Sequence, residues 1–493
     1  RTREHQMKPF LSTSLITLGA FTLATTTAAA QATITPLPSG FTAYHLSPSG
    51  TAVSGEDVSG AARLVAPWNP AGNQITLPGT MTNIGSFAGR MNFDGSIIAG
   101  AFEDPNIGAA APGFWQAGAG SGSTTAQFPP GYADGCSITS TNSSVNWAGT
   151  VGGVSAVQGC NLWPLRWDIV NNTYQLLDTS SFIVPTAQPS ARVSATSGDG
   201  LVSAGWIQTT SRSGAVWDQA GTLSFPYLTV ANPTGGGEVF ATDFTGESFV
   251  GTTFDGPVVA SGGALHFPAG EAGLNNSGEG MLDISADGRV AVGAGGGASG
   301  PFGSPDTGLI WTAWTGGQNI NDLFANYGIT LPTGNTINRV PGVSLDGHTF
   351  LVQQPPMFFG YGDSFIVTLP NSWGNLGGNS PSGANGIPQL QGFGYLTDGA
   401  PARLTLSQAA ASSPVFLALS ATDNPVPLWG GVLHTTNYFK LVNFNTNAAG
   451  GAVLDLTWPT GLAGVTIYSQ MATLDFSVPD NVTLTNALSS TGF

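Results

Sequence analysis

Apolar and polar positions alternate along this chain in runs of a few residues, and turn residues rather than helical stretches separate the runs. ARLVAPW (Ala62–Trp68), APGFW (Ala111–Trp115), WPLRW (Trp163–Trp167), SGAVW (Ser213–Trp217), GALHF (Gly263–Phe267), TGLIW (Thr307–Trp311) and DSFIV (Asp363–Val367) are such runs. Short apolar runs bounded by Gly, Asn, Asp and Ser read as β-strands. Each run follows a recurring phrase, a turn and then a short strand that ends in a small residue and Gly. The phrase is SPSGTAVSG at Ser47–Gly55, NFDGSIIAG at Asn92–Gly100, SGDGLVSAG at Ser197–Gly205, DFTGESFVG at Asp243–Gly251 and SADGRVAVG at Ser285–Gly293. A degraded copy is SLDGHTFLV (Ser344–Val352), and a looser one is TNSSVNWAG (Thr141–Gly149).

The phrase returns about every 40 to 60 residues, and such self-similarity means one supersecondary unit repeated. Roughly 12 to 18 residues past it comes a bulky residue: Trp68, Trp115, Trp167, Trp217, Phe267, Trp311 and a position near Phe365-Ile366-Val367. These aromatics read as packing between units. A further strand usually follows, so each unit holds about four short strands, the signature of a β-propeller blade. The expectation is an all-β chain in which seven units, from about Thr35 to Pro370, close into a ring and remove their exposed edges. Blade boundaries stay open, because propellers often complete one blade with strands from both ends. The turn glycines supply the positive φ that tight hairpins need, and the small-residue–Gly ends let another backbone approach closely.

After Pro370 the repeat disappears. Residues 371–387 (NSWGNLGGNSPSGANGI) have the composition of a Gly/Asn/Ser linker. Residues 388–493 return to short alternating runs such as ARLTLSQA, VFLALSAT and AVLDLTWP, which predict a small β-sandwich. At the other end, Arg1–Gln6 precede a plausible start at Met7. Lys8, the apolar run Phe10–Thr25 and Ala30-Gln31-Ala32 have the layout of a secretory signal, so residues 1–32 are expected to be an upstream extension plus signal peptide. Residues 33–370 are then the propeller, secreted or held at the cell surface or in the periplasm.

Charge narrows the partners. The chain carries 12 basic and 28 acidic residues, a formal net charge of −16. Loss of residues 1–32 would remove three bases and one acid and leave −18, with Lys440 the only lysine. Nucleic acid and anionic lipid need clustered Lys or Arg, so neither is an expected partner, and no run beyond the signal approaches membrane-spanning length. Two cysteines, Cys136 and Cys160, are an even count in an exported chain and are expected to form a disulfide.

The turn-and-strand units resemble the extracellular HAF-type repeats of secreted bacterial proteins, which pair a Ser-x-Asp-Gly turn with a Val-x-Gly strand end and a later Ala-x-x-Trp. The run from Ser285-Ala286-Asp287-Gly288 through Trp311 and INDLFANYGITL to Ser344-Leu345-Asp346-Gly347 matches best. The first, third and fifth repeats lack the Asp-Gly. The last quarter of the chain is similar to small C-terminal modules on exported proteins of planctomycete-like and myxobacterial-like bacteria, through Gly392–Leu406, Trp458–Gln470, Leu474-Asp475 and Leu484–Leu488. Both resemblances imply fold and location; neither implies an activity.

Chemistry leaves little trace. Asp94, Asp199, Asp287 and Asp346 recur at one repeat position, which argues for a turn-capping role, since equivalent positions lie far apart around a propeller. The turn is similar to the Asp-box of sialidases but lacks its Trp, and nine scattered bases make an arginine cluster hard to assemble. His45, His266, His348 and His434 have no metal-ligand spacing, and no HExxH, P-loop or nucleophile elbow is present. No cofactor is expected. Asp-bearing loops have calcium-type chemistry, but none matches an EF-hand or RTX repeat. The expected function is a non-enzymatic binding or surface protein presenting propeller loops to a glycan, polymer or protein. The alternative is a secreted polysaccharide hydrolase or lyase with its site in the propeller funnel, where unrepeated acids such as Glu103, Glu238 and Asp255 are the candidates.

Overall fold

The computed structural model describes residues 31–57, 62–65, 74–76, 88–104, 109–116, 144–158, 161–180, 190–209, 211–228, 236–296, 306–331, 336–354 and 363–493. Trp68, Cys136 and Cys160, and with them the expected disulfide, lie outside these residues, as does the Glu103 side chain.

Among the described residues, the strands from Thr33 to Thr368 form seven antiparallel sheets that run outward from a common axis, six of them built from consecutive strands. The inner strands are Phe41–Leu46, Ala88–Met91, Ser144–Val145, Ala191–Thr196, Gly237–Thr242, Asn275–Ile284 and Arg339–Val343, and they define blades 1 to 7. The seventh blade takes its outermost strand from the start of the described chain. Thr33–Pro36 pairs antiparallel with Ser364–Thr368, with Ile34 opposite Val367. Both ends of the repeat region therefore share one sheet, and the ring is fastened by strand pairing. The fold is an all-β propeller of seven blades followed by a β-sandwich.

The recurring phrase forms the turn between the first and second strands of every blade. Its glycine is left-handed in all seven: Gly50 (φ 74°), Gly95 (78°), Gly149 (72°), Gly200 (81°), Gly246 (76°), Gly288 (68°) and Gly347 (74°). Gly149 corrects the frame of the third copy. The turn is Asn146-Trp147-Ala148-Gly149, so the phrase begins at Asn146 rather than Thr141. The first turn residue closes the hairpin with its side chain. In blade 4 the Val202 N–H donates to Ser197 Oγ (2.9 Å), the Ser197 hydroxyl donates to Asp199 Oδ1 (2.6 Å), and that oxygen also accepts the Leu201 N–H (2.9 Å). Ser285 with Asp287 and Ser344 with Asp346 repeat the pattern.

The turns are also joined to one another. Seven backbone hydrogen bonds pass from blade to blade: Ser49 N–H to Phe93 O, Phe93 to Trp147, Trp147 to Gly198, Asp199 to Phe244, Phe244 to Ala286, Ala286 to Leu345, and Leu345 back to Pro48. Their lengths run from 2.7 to 3.2 Å, and the circuit closes on its first member. Pro48 has no N–H, and its neighbour Ser49 supplies the donor.

Glycines at the end of the phrase answer a bulge. In blades 1, 4, 5 and 6 the pairing skips Tyr44, Ser194, Phe240 and Leu282 on the inner strand. The displaced carbonyls crowd the facing strand. A Cβ at Gly55, Gly205, Gly251 or Gly293 would lie 2.1, 1.9, 2.0 or 2.2 Å from a carbonyl oxygen, so no side chain fits there.

Trp115, Trp167, Trp217 and Trp311 occupy one position on the third strand of their blades, all at most 3% exposed. They face Ile98, Gly152, Ser203 and Ala291. In blades 5 and 7 the bulk changes strand: Phe249 faces Ala260 and Phe350 faces Val367. Phe267 is thus not the fifth counterpart of the tryptophans. It lies beyond the fourth strand of its blade, Ala264–His266, and leads into the short helix Pro268–Glu271. In blade 1 the equivalent position is Val65, opposite Val53, three residues before Trp68. Filling one inter-sheet volume from either strand conserves packing without conserving the residue.

The expected linker is structured in its first part. Trp373–Gly377 is an edge strand that pairs with Ala487–Thr491, and Ser380 exchanges hydrogen bonds with Leu484. The sandwich therefore starts at Trp373 rather than at 388. The Gly/Asn-rich composition misled because Trp373 Nε1 finds the Gly394 carbonyl (3.0 Å) and the strand finds a sheet edge. One sheet holds Trp373–Gly377, Ala487–Thr491, Thr466–Leu474, Pro414–Ser420 and Tyr438–Asn445, and the other holds Gln389–Phe393, Pro401–Ser407 and Ala452–Thr457. Leu390, Leu404, Leu406, Val415, Leu417, Met471 and Leu488 fill the space between them. Asn486 ties the sheets, accepting from Leu390 N–H (2.8 Å) and donating to Leu390 O (2.9 Å).

Candidate binding face

The sandwich rests on the turn face of blades 6 and 7. Tyr395 packs into the apolar cluster of blade 7 and donates its hydroxyl proton to the Gly347 carbonyl of the seventh turn (2.8 Å). Burial holds its phenol well above the usual tyrosine range, so it remains a donor. Arg403 donates to the Ala313 carbonyl of blade 6 (3.2 Å), and the Tyr327 and Phe493 rings lie 5.9 Å apart.

A cleft of about 430 Å³ opens between the two domains. Asp287 and Arg289 of the sixth turn and Asp346 and His348 of the seventh form its propeller wall, and Trp373, Gln391 and Phe393 form its sandwich wall. The Arg289 guanidinium lies 4.0 Å from the Phe393 ring centre. Trp314 stands 6.0 Å from Phe393 and 6.2 Å from Tyr395, and separates this cleft from a second one of about 400 Å³ lined by Asp322, Asp398 and Thr397. Behind the wall, Trp314 Nε1 and His348 Nδ1 are buried without a protein partner. Burial lowers the His348 pKa, against the opposing pull of Asp346, so the ring is neutral at physiological pH.

Asp287 and Asp346 both line the cleft, but each spends Oδ1 on its own turn, as Asp199 does in blade 4, away from any cleft. Asp94 does the same in blade 2, and the hydroxyl and N–H of Ser96 hold its carboxyl below the usual range. Repetition with and without a cleft identifies turn capping as the shared task.

The central channel is nearly closed. Arg90 crosses it from blade 2 and donates to Asp283 Oδ1 (2.8 Å) and to the carbonyls of Phe240 (3.0 Å) and Leu282 (2.7 Å). The Val343 N–H donates to the other Asp283 oxygen (3.0 Å). The cavity beside this pair measures about 40 Å³ and is walled by Leu46, Met91, Val145, Thr196, Thr242, Ile284 and Val343, the residue before the turn in each blade. That is room for a few waters and not for a sugar ring. His45 on the first inner strand is half-buried, and desolvation with the charges of Arg90 and Arg339 lowers its pKa well below the usual histidine value, so the ring is neutral.

At the opposite end of the inner strands the side chains are charged. Glu238 pairs with Arg192 and with Arg212 (3.2 Å) and accepts from the Ser194 hydroxyl (3.1 Å), while Arg212 covers the Trp206 ring at 4.4 Å. Arg339 grips Glu279 through two hydrogen bonds of 2.5 and 2.6 Å. Glu238 is thus satisfied by two guanidinium groups, and Asp255 sits exposed in the Thr253–Gly256 turn. The four histidines are spread over blades 1, 5 and 7 and the sandwich, where His434 meets Asp423 (2.8 Å). Among the described residues no three His, Cys, Asp or Glu side chains gather as a metal group, and no helix is long and apolar enough to cross a membrane.

Sequence reasoning missed Arg289, Trp314, Trp373, Phe393 and Tyr395. They come from segments up to a hundred residues apart and share no motif. The one available signal was Trp373 in a stretch otherwise of linker composition.

No protein-family model matches the chain, and no curated protein does. Solved structures that resemble it are a TolB from Acinetobacter baumannii (13% identity, 56% of this chain and 61% of that one, TM-score 0.33), an oligogalacturonate lyase from Vibrio parahaemolyticus (10%, 70% and 98%, TM-score 0.40) and the Cps50 (Swd1) β-propeller domain of Myceliophteria thermophila (11%, 68% and 99%, TM-score 0.41). The match spans about three fifths of the TolB chain. At these similarities none of the three bears on activity.

Proposed function

We propose that this chain is an exported, non-catalytic binding protein whose interdomain cleft takes a segment of neutral glycan. The cleft carries the reading. It has the volume of a ligand site, aromatic walls at Trp373, Phe393 and Trp314, and the exposed amides of Asn371, Asn375 and Gln391 along its rim. A sugar presents apolar faces to rings and hydroxyls to amides. The net charge of −16 disfavours acidic polymers. The channel, at about 40 Å³, has no space for a funnel substrate, and the carboxylates in the cleft are engaged in turns. Export rests on the layout of residues 1–32 and on the resemblance to HAF-type extracellular repeats.

The test exposes the purified chain to insoluble and soluble polysaccharides and scores both retention and release of reducing ends. Retention without release, weakened about tenfold by Trp373→Ala, is expected. Release of product from any substrate, abolished by Asp287→Asn or Asp346→Asn, would replace this reading with the hydrolase or lyase.

A further inference from the structure

The second residue of each turn takes part with its backbone in the blade-to-blade circuit. In blades 1, 3 and 7 the side chains at this position, Pro48, Trp147 and Leu345, line the mouth directly. The circuit itself needs no large side chain here, because Ala286 in blade 6 both accepts and donates as Phe93 does, and in blade 4 Gly198 accepts while Asp199 N–H donates. Yet blades 2, 3 and 5 carry Phe93, Trp147 and Phe244. Their rings form a continuous arc, 6.2 Å from Phe93 to Trp147 and 4.8 Å from Trp147 to Phe244. Phe93 is 44% and Phe244 38% exposed. The arc closes over Gly198, where a Cβ would come within 2.3 Å of the Phe244 ring and 2.9 Å of Trp147. Two exposed phenylalanines flanking a half-buried tryptophan make a contiguous aromatic surface of the kind that marks a binding site.

We propose that this arc is a second carbohydrate site, separate from the cleft, on which a neutral polysaccharide strand lies flat across the channel mouth. The occupant follows from what surrounds the rings. The void beneath them, about 40 Å³, is too small to admit an acyl chain or a bulky peptide side chain end-on. No Lys or Arg occupies the second position of any turn, which leaves acidic polymers and anionic lipid headgroups without a counter-charge. The flanking polar groups are the carboxylates of Asp94 and Asp199 on the same turns, acceptors suited to sugar hydroxyls.

The experiment titrates the full chain with soluble laminarin, galactomannan and hydroxyethyl cellulose, following tryptophan fluorescence and affinity electrophoresis, for wild type, Trp147→Ala, Phe244→Ala and Trp373→Ala. Expected is binding of at least one polymer, with affinity reduced at least fivefold by Trp147→Ala and by Phe244→Ala, and with the fluorescence change largely lost in Trp147→Ala. Reduction by Trp373→Ala alone overturns the mouth site and leaves the cleft reading standing. Unaltered binding in Trp373→Ala with loss in Trp147→Ala supports the mouth and removes the cleft. Binding to none of the polymers, or a dimer in light scattering that Trp147→Ala dissociates, overturns the proposal. Thermal melts of each variant separate loss of binding from loss of fold.

Discussion

The two ends of the propeller axis are built on different principles. At the turn end, seven backbone hydrogen bonds make a closed circuit, and the second residue of every turn is uncharged. One inner-strand length away, roughly 17–20 Å for a six-residue strand, stability comes from side-chain pairs between particular neighbours: Glu238 with Arg192 and Arg212, and Glu279 with Arg339. A backbone circuit repeats with the blades and leaves its side chains free to be spent on a ligand. Ion pairs commit the side chains themselves. On the reading proposed above, the turn end binds and the other end fastens.

The largest perturbation should be one that disconnects the ends. Arg90→Ala removes the cation that joins blades 2, 5 and 6 and leaves Asp283 facing a void. Loss of one member of a largely enclosed pair costs about 3 kcal/mol, read as a lower denaturant midpoint. Glu238→Gln should follow at about 2 kcal/mol, since two arginines lose their shared carboxylate. Its binding of polysaccharide should not change. At the turn end, Gly200→Ala forces a side chain into a φ of +81° and should cost about 1–2 kcal/mol in a thermal or urea melt. Trp147→Ala should cost less, about 1 kcal/mol, because the circuit uses only its backbone and its half-buried ring loses contact with Phe93 and Phe244 alone among aromatics. A large loss there would break the comparison.

Acid should act on the channel and on the domain contact. His45 and His348 are both held neutral when folded, mainly by burial. With folded pKa values below the unfolded value of 6.5, the unfolded chain binds more protons and stability rises with pH. Their contribution is complete above 6.5 and is lost as pH falls towards the folded values, at up to about 1.4 kcal/mol per pH unit for each ring. Urea midpoints between pH 7 and pH 5 should drop in wild type and flatten in a His45→Gln, His348→Gln double variant.

The turn phrases were legible because a left-handed glycine and a capping Ser, Asn or Asp are local requirements that every blade must meet. Asn146-Trp147-Ala148-Gly149 was framed five residues early, since Asn replaces Ser and Ala replaces Asp while the geometry stays. Packing was legible only where bulk stayed on one strand. Phe249 and Phe350 fill from the facing strand the volume that tryptophan fills elsewhere, so spacing alone pointed to Phe267. Trp373–Gly377 escaped because an edge strand is made by its partner, Ala487–Thr491, more than a hundred residues away. The cleft escaped for the same reason. The aromatic arc was visible in principle: Phe93, Trp147 and Phe244 hold one phrase position, and its variability was the clue.

The assignment of binding to the turn end is tested most directly by comparing polysaccharide isotherms of wild type, Trp147→Ala, Trp373→Ala and Glu238→Gln under one condition. A Trp147→Ala protein that binds at least fivefold more weakly but melts close to wild type, beside a Glu238→Gln protein that binds as wild type but melts earlier, is the predicted result. Binding or product release that disappears with Glu238→Gln and survives both tryptophan substitutions would contradict it.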